Sequence, residues 1–451
     1  MNPLILTVPD DAEALAQRLS PRRKLFDRAL LADVAAIFDD VAERGDQAVL
    51  DATGRFDGVT LDAIRLSDAE VAACTGSISG ELRQAIEVAI RNIAEVNRAL
   101  MPERLWRTEI RPGTVVGEKV APLPAVGLWV PARKGPLVST AIMLAVAARV
   151  AGVPRIAVAM PPCADGRPDA GTVAAAALSG AGEFLIGNGV AVIAALTLGT
   201  ESVPEVDGLF GPGPGAIAAA MATAFGYGKR TTMGIGPTDG MVLADESADP
   251  HLVACDLLTE AEHGPDSVTV LVTTSRALAE QVAAELAAGL DGMVEPRRGY
   301  AEHVFGPEGM GCLVVAPDLD AAVAVANDFA AEHLIIACDE ATAEQALCRI
   351  EHAGEILLGH ATPFSAANYA IGITAVLPTG GHARQFSGVT CRDMVKCATI
   401  GSLTPAALAE LAPTIVTLAR HEGLHGHAAA AQERPCEGPH GSTGRRAKDG
   451  A

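Results

Sequence analysis

Aromatic residues are scarce in this chain: two Trp, three Tyr and ten Phe make up 3% of 451 residues. Its cores must therefore be built from Ala, Val, Leu and Ile. Positive charge is also in short supply, with 34 Lys and Arg against 55 Asp and Glu and a formal net charge of −21. The corresponding pI is about 4.9. Nothing basic is concentrated enough to hold phosphates, which argues against nucleic-acid or anionic-membrane binding. The nine cysteines include no CxxC pair. An odd, unpatterned set fits reduced thiols in a cytosol better than a disulfide framework. The longest apolar run, near 141–150, is interrupted by Arg149 and is far too short to span a bilayer. The first residues carry no basic stretch, so they do not read as a secretory signal. A cytoplasmic location is expected. No internal repeat is visible, and no histidine precedes His251.

Apolar residues make up 49% and charged residues 20%, ordinary for an enzyme long enough for two or more α/β domains. Up to residue 110 the pattern is mostly helical, with amphipathic stretches at Leu30 to Glu43 and Gly80 to Leu100. Strands at 125–130, 155–160 and 184–186 then alternate with helices at 141–151, 171–180 and 190–199. A second alternation has strands at 241–244, 268–273 and 312–315, with helices at 276–289 and 319–330. This spacing implies parallel βαβ units. A helical region is expected over 404–423, begun by Thr404 and Pro405 and broken or kinked at Pro413. From about residue 432 the composition turns to Gly, Pro, Ser and charge, the signature of a disordered tail.

Asp249 to Gly264 is the most informative stretch. Asp249 suits an N-cap, Pro250 the first turn and Gly264 the stop. Glu260 and His263 are three apart, so in one helix they leave the same face and can grip one metal ion. A bound cation would offset the cost of Glu260 and Glu262 at the negative helix end, about 0.3–1 kcal/mol each. The alternative is a solvated acidic helix end with a surface histidine. The loop at 210–216 fits a Gly-x-Gly-x-x-Gly/Ala dinucleotide turn, although Pro212 and Pro214 remove backbone donors and a rigid turn fits equally.

Glu332-His333 joins an Ala-rich helix to the apolar run Leu334 to Ala337. A charged pair at the mouth of a buried strand is where α/β sheets place active sites, and either residue can serve as a general base. A pair that merely caps the strand is the alternative. His421, Glu422, His425 and His427 form a dense cluster, in which His421 and His425 share a face if the helix continues.

Six motifs taken together resemble histidinol dehydrogenase. They are Val-Gly-Leu-Trp-Val-Pro at 126–131, Gly-Pro-Thr-Asp at 236–239, Asp256 to Gly264, Glu332-His333-Leu334, Val-Leu-Pro-Thr-Gly-Gly at 376–381 and Glu422 to His427. The resemblance covers roughly residues 25–430 in the right order. It implies an α/β fold of two incomplete Rossmann-like domains, in an aldehyde-dehydrogenase-like architecture, with small helical terminal segments. The implied layout has an N-terminal segment at 1–25, a catalytic-pair domain at 26–111 plus 237–385, and a cofactor-side domain at 112–236. A C-terminal segment at 386–431 would complete the site of the partner in a homodimer.

The activity implied is zinc-dependent, NAD-linked oxidation of L-histidinol to L-histidine through a retained aldehyde. Zinc ligands would fall on Glu260, His263, Asn368 and His427. Glu332 would activate water and His333 would take protons. Substrate contacts would fall on Thr238, Glu260, His263, His333, Asn368, Glu422 and His427, with Glu422 and His427 coming from the partner. Cofactor contacts would fall on Trp129, Ala191 and Pro214. Several of these depart from the family pattern, which usually has Gln for Glu260, Asp for Asn368, Ser for Thr238, and Tyr, Gln and Asn for Trp129, Ala191 and Pro214. Thr374-Ala375 stands where Asn-His is usual. Three readings remain open: the family reaction, the same chemistry on another hydroxy compound such as a sulfonated diol, and a non-catalytic paralogue.

Overall fold

The computed structural model describes residues 3–19, 22, 26–132, 135–213, 215–232, 236 and 238–434. Two compact units divide the chain. One comprises Met1–Met101 and Pro122–Met394, the other Pro102–Ala121 and the chain from Val395.

The first unit opens with β1 (Ile5–Thr7) and α1 (Ala12–Leu19), followed by α2 (Arg28–Arg44), α3 (Asp46–Asp57), α4 (Asp68–Ser77) and α5 (Gly80–Leu100). In the second unit β2 (Leu105–Arg111) and β3 (Thr114–Pro122) form an antiparallel hairpin. The chain then returns to the first unit with β4 (Ala125–Trp129), α6 (Val138–Ala151), β5 (Arg155–Met160), α7 (Ala170–Ser179), β6 (Glu183–Ile186), α8 (Gly189–Leu198), β7 (Gly208–Phe210), α9 (Ala216–Gly226) and β8 (Arg230–Thr231). These strands make a parallel sheet in the order β6-β5-β4-β7-β8. The core here is Ala and Val, as the aromatic shortage requires. Helix α8 is apolar all round, and its residues Gly189 to Thr197 are buried. The stripe Val34, Phe38 and Val41 of α2 packs into the same core. The layout expected from sequence put residues 26–111 with the catalytic-pair domain, whereas α2 and α3 bury their stripes against α8 and the first sheet.

A second sheet follows. Its elements are β9 (Asp239–Ala244), α10 (Pro250–Ala261), β10 (Val268–Thr273), α11 (Arg276–Gly289), α12 (Arg297–Val304), β11 (Cys312–Val315), α13 (Leu319–Phe329), β12 (His333–Ala337), α14 (Glu340–Leu347), β13 (Glu355–Leu358) and α15 (Phe364–Tyr369). The order is β1-β11-β10-β9-β12-β13, again parallel throughout. Side chains alternate between two buried faces. Val242, Leu271, Leu313 and Ile335 face α10 and α11, while Met241, Val270, Val314 and Leu334 face α13.

Leaving β1 aside, the two sheets share one plan: the first strand is central, the next two add on one side and the last two on the other. The absence of an internal repeat holds for residue identities but not for topology. The expected α/β class with parallel βαβ units is what the chain adopts.

In the second unit β14 (Val395–Leu403) joins the hairpin in the order β14-β3-β2, and α16 (Pro405–His421) and α17 (His425–Gln432) pack together. The expected break at Pro413 does not occur, since α16 runs through it with Pro413 on an exposed face. The expected tail lies outside the described residues from position 435, and Gln432 still closes a helix. Among the described residues no helix is long and apolar enough to cross a membrane.

Candidate active site

Three parallel strands of the second sheet begin side by side. His333 opens β12, level with Gly240 of β9 on one side and with Glu355, which opens β13, on the other. Helix α10 runs antiparallel to its strands, so its last turn, carrying Glu260, returns to this same end. The polar cluster therefore sits at the amino ends of the strands. Open α/β sheets more often bind ligands at the carboxyl ends, whereas this cluster stands where the strands begin, at the head of the apolar run that follows His333.

The start of β12 is fixed by Asp239. Glu332 donates its N–H to Asp239 Oδ1 at 2.7 Å, and Asp239 donates its own to Glu332 Oε2 at 3.1 Å. Gly380 N–H and Arg22 both donate to Asp239 Oδ2, at 2.6 and 3.2 Å. Arg22 also donates to the Phe329 carbonyl and lies 3.6 Å over that ring. The turn into β12 passes through Ala330, which is left-handed at φ 51° without being glycine.

Around this frame stand three buried carboxyl groups and one imidazole. Thr238 Oγ1 lies 2.8 Å from Glu260 Oε2 and 2.9 Å from Glu332 Oε2. A hydroxyl has one proton to give, so both contacts are satisfied only when one of the two carboxyls is protonated and donates to it. Burial pushes Glu332 up, against the pull of neighbouring His333. His333 Nδ1 is 2.5 Å from Glu355 Oε1, and its Nε2 is 3.5 Å from Glu332 Oε1. Burial alone would lower the His333 pKa. The charges of Glu260 and Glu332, with hydrogen bonds to Glu332 and Glu355, outweigh it and hold His333 well above its ordinary value. Burial also raises Glu355, opposed by the same bond to His333. The Phe364 ring meets the imidazole in a T-shaped arrangement, with 5.8 Å between ring centroids.

Glu260 and His263 do not share a helix face. Helix α10 stops at Ala261 with Glu262 as C-cap. Glu260 is wholly buried, whereas His263 lies past the cap and is exposed. Gly264 is not the cap because the chain turns two residues earlier. Glu260 can come so close to β9 only because position 240 is glycine; a Cβ there would lie 2.6 Å from Glu260 Cγ. Asn368 is half-buried on α15, which packs against α10. Asp256, one turn before Glu260, accepts the N–H of Phe364 at 3.4 Å, and burial pushes its pKa to about 6.

A cation fits the first-unit donors in one respect: Glu260 Oε1 is buried and has no hydrogen-bond partner. Carboxylate, imidazole and, more weakly, amide are the donors that Glu260, His263 and Asn368 offer. Among the described residues of this one chain, no group of three or more His, Cys, Asp or Glu side chains is placed to hold a metal by itself.

The first sheet contributes a second feature. Its strand order reverses beside β4, so the carboxyl ends of β4 and β7 flank a topological switch point, a preferred nucleotide site. Trp129 ends β4 there, and its indole packs on Gly189, where a Cβ would lie 2.8 Å from the ring. Trp129 Nε1 is buried without a partner, and Ala191 is wholly covered. Pro214 lies outside the described residues. Beside this edge a cavity of about 260 Å³ is lined by Phe56, Asp57, Ala132 and Pro161.

Glu422 and His427, on the second unit, are exposed. The helix does not continue from His421 to His425, because Glu422 caps α16 and Gly423 turns left-handed at φ 74°. His421 and His425 therefore do not share a face. Arg22 and Glu355 escaped the sequence reading, and Asp239 entered it only as the end of the motif at 236–239, with no role attached. Glu355 carried a usable signal: like Glu332-His333, it is a carboxylate at the head of an apolar run.

The chain is similar to known proteins over most of its length. The histidinol dehydrogenase family model matches residues 20–435. A histidinol dehydrogenase from Synechocystis sp. is 41% identical over 413 residues, covering 90% of this chain and 92% of that protein. A protein named histidinol dehydrogenase homolog from Colwellia psychrerythraea is 39% identical over 400 residues, covering 88% and 89% respectively. The crystal structure of histidinol dehydrogenase from Elizabethkingia anophelis matches with a TM-score of 0.88 at 30% identity, covering 95% of this chain and 97% of that one.

Proposed function

This chain belongs to the histidinol dehydrogenase family, and from that membership we propose that it is a zinc-dependent, NAD-linked dehydrogenase of a small polar alcohol of the histidinol type. The observation that carries the proposal is the set of half-buried Thr238 and buried Glu260, Glu332 and His333 gathered at the amino ends of β9 and β12.

In this reading Glu260, His263 and Asn368 would hold zinc together with a His427 supplied by a partner subunit, and the metal would supply a Lewis acid that fixes the substrate and polarises its oxygen. NAD would supply the hydride acceptor, and the carboxyl ends of β4 and β7 are the edge of the first sheet where a nucleotide would be held. His333 takes the hydroxyl proton at Nε2 as the carbinol carbon is oxidised to the aldehyde. Glu332 takes a proton from water for the second oxidation, to the acid. Both side chains are buried, Glu332 at 6% and His333 at 3% exposure. Glu422 and His427 serve a partner subunit's site. Homodimerisation is further supported by β2, exposed along its whole length with Leu105, Trp106 and Ile110 uncovered.

The charge of the site bears on the substrate. Glu260, Glu332 and Glu355 meet an anion unfavourably, which weighs against a sulfonated diol and for a substrate that is neutral or cationic. A second reading, the same chemistry on a different hydroxy compound, draws on the departures at Thr238, Glu260, Asn368 and 374–375. The test is NADH formation from L-histidinol on protein of measured zinc content. Two NADH per histidinol, lost on chelation and restored by zinc, is the expected result. Zinc-loaded protein without turnover would move the proposal to another alcohol. Failure to bind either zinc or NAD would favour a non-catalytic paralogue.

A further inference from the structure

We propose that Glu355 is a positioning residue for His333, holding Nδ1 as the protonated nitrogen so that Nε2 is the one that accepts the substrate proton. The proposal rests on the reading of His333 as the base. Glu355 belongs to none of the motifs that mark the site. It reaches His333 through strand register alone, since the two residues stand opposite each other where β12 and β13 begin.

Three observations carry it. The Nδ1 to Oε1 separation of 2.5 Å between two groups that are 3% and 7% exposed is a short, charge-assisted contact. The other carboxylate oxygen, Oε2, is buried with no partner, so the carboxylate is committed to the imidazole rather than to a network. The opposite ring nitrogen, Nε2, is 3.5 Å from Glu332 Oε1, on the side of the water-activating carboxylate. Turning the ring over would present a carbon to Glu355 in place of Nδ1 and forfeit this contact.

A buried ion pair kept only for stability is the competing account, and it is a weak one, because such pairs often cost as much in desolvation as they return. The proton balance is simple. Nδ1 keeps its proton throughout. The hydroxyl proton joins the Nε2 lone pair, and the imidazolium so formed faces the Glu355 carboxylate. Its proton then leaves from Nε2 to solvent before the second oxidation.

The test uses the full-length, zinc-loaded protein with L-histidinol and NAD. Glu355→Gln keeps an acceptor for Nδ1–H but removes the charge. It is expected to lower kcat by about 10²-fold at nearly unchanged KM, by analogy with other carboxylate–imidazole pairs. Glu355→Ala should lose more, and added formate should restore part of it by refilling the carboxylate position. In protein carrying labelled histidine, a far-downfield Nδ1 proton resonance should be present in the parent and absent in His333→Gln. The resonance is read independently of turnover. Its absence from the parent, or Glu355 variants with kcat within twofold of the parent while His333→Gln is impaired, would overturn the assignment. If His333→Gln itself keeps the parental rate, the base reading has failed and the role of Glu355 falls with it.

Discussion

Asp239 and Glu332 hold each other by a reciprocal exchange, each giving its main-chain N–H to the other's carboxylate at 3.1 and 2.7 Å. The exchange ties the starts of β9 and β12 together and sets where the Glu332 carboxyl stands. Arg22 and Gly380 complete the clamp on the Asp239 side.

Arg22→Met should therefore be costly. It removes the Arg22 guanidinium from Asp239, which is 1% exposed. Breaking a buried pair from one side costs about 3–5 kcal/mol. Denaturant unfolding should show a lowered midpoint with an unchanged slope.

Gly240→Ala places a methyl 2.6 Å from Glu260 Cγ, and the helix end must move to admit it. A loss of about 1–3 kcal/mol is expected from such overpacking. Because the shift falls on Glu260, bound zinc should fall along with Tm. A variant with lowered Tm and full zinc would separate Glu260 from the metal.

His263→Ala and His333→Gln should divide metal from base. The first is expected to lose zinc, measured by metal analysis of the purified protein. The second should retain zinc and lose about 10²-fold or more in kcat. Full zinc retention in His263→Ala would remove that residue from the ligand set.

Asp256 gives a pH prediction. Burial raises its folded pKa to about 6 from 3.8. The folded state then holds its proton more tightly than the unfolded chain, so stability falls as pH rises from about 4 to about 6 and is level above that. Asp256→Asn should abolish this slope. With the side chain partly exposed, the expected gain at neutral pH is about 1–2 kcal/mol. Unfolding curves at pH 4 and pH 7 would measure it.

Pro413→Ala should stabilise the second unit. Pro413 is exposed within α16 and cannot donate to the preceding turn. Interior proline costs a helix up to about 3 kcal/mol relative to alanine. A raised Tm without change in the kinetics is expected.

Much of the fold was legible where burial writes a pattern. The strands at 155–160, 268–273 and 312–315 and the helices at 80–100 and 276–289 have the bounds that apolar runs and caps predict. Where burial is absent the signal fails. Strand β2 is exposed at every position and was not anticipated. Strand β1 is only three residues long. Pro413 misled because local propensity overstates a break that the packing of α16 on α17 tolerates. In the site, the motifs led to Thr238, Glu260, Glu332 and His333, which the fold brings together. The residues that hold them did not show. Arg22 lies 217 positions from Asp239, and Glu355 meets His333 only by register. Helical spacing also misplaced His263, because a helix that ends two residues early sends the next side chains elsewhere.

The reciprocal clamp also bears on how the protein is made. Synthesis delivers Arg22 first, Asp239 some 217 residues later, Glu332 93 after that, and the Glu355 partner of His333 22 beyond His333. Until the last of these leaves the ribosome, charged groups destined for the interior have no partner to accompany them. Contacts this distant in sequence form slowly. A chain released early, before residue 355, would have most of its second sheet and an imidazole with one of its two carboxylates missing. The site thus matures only in the completed chain, and catalytic activity should lag behind secondary structure during refolding.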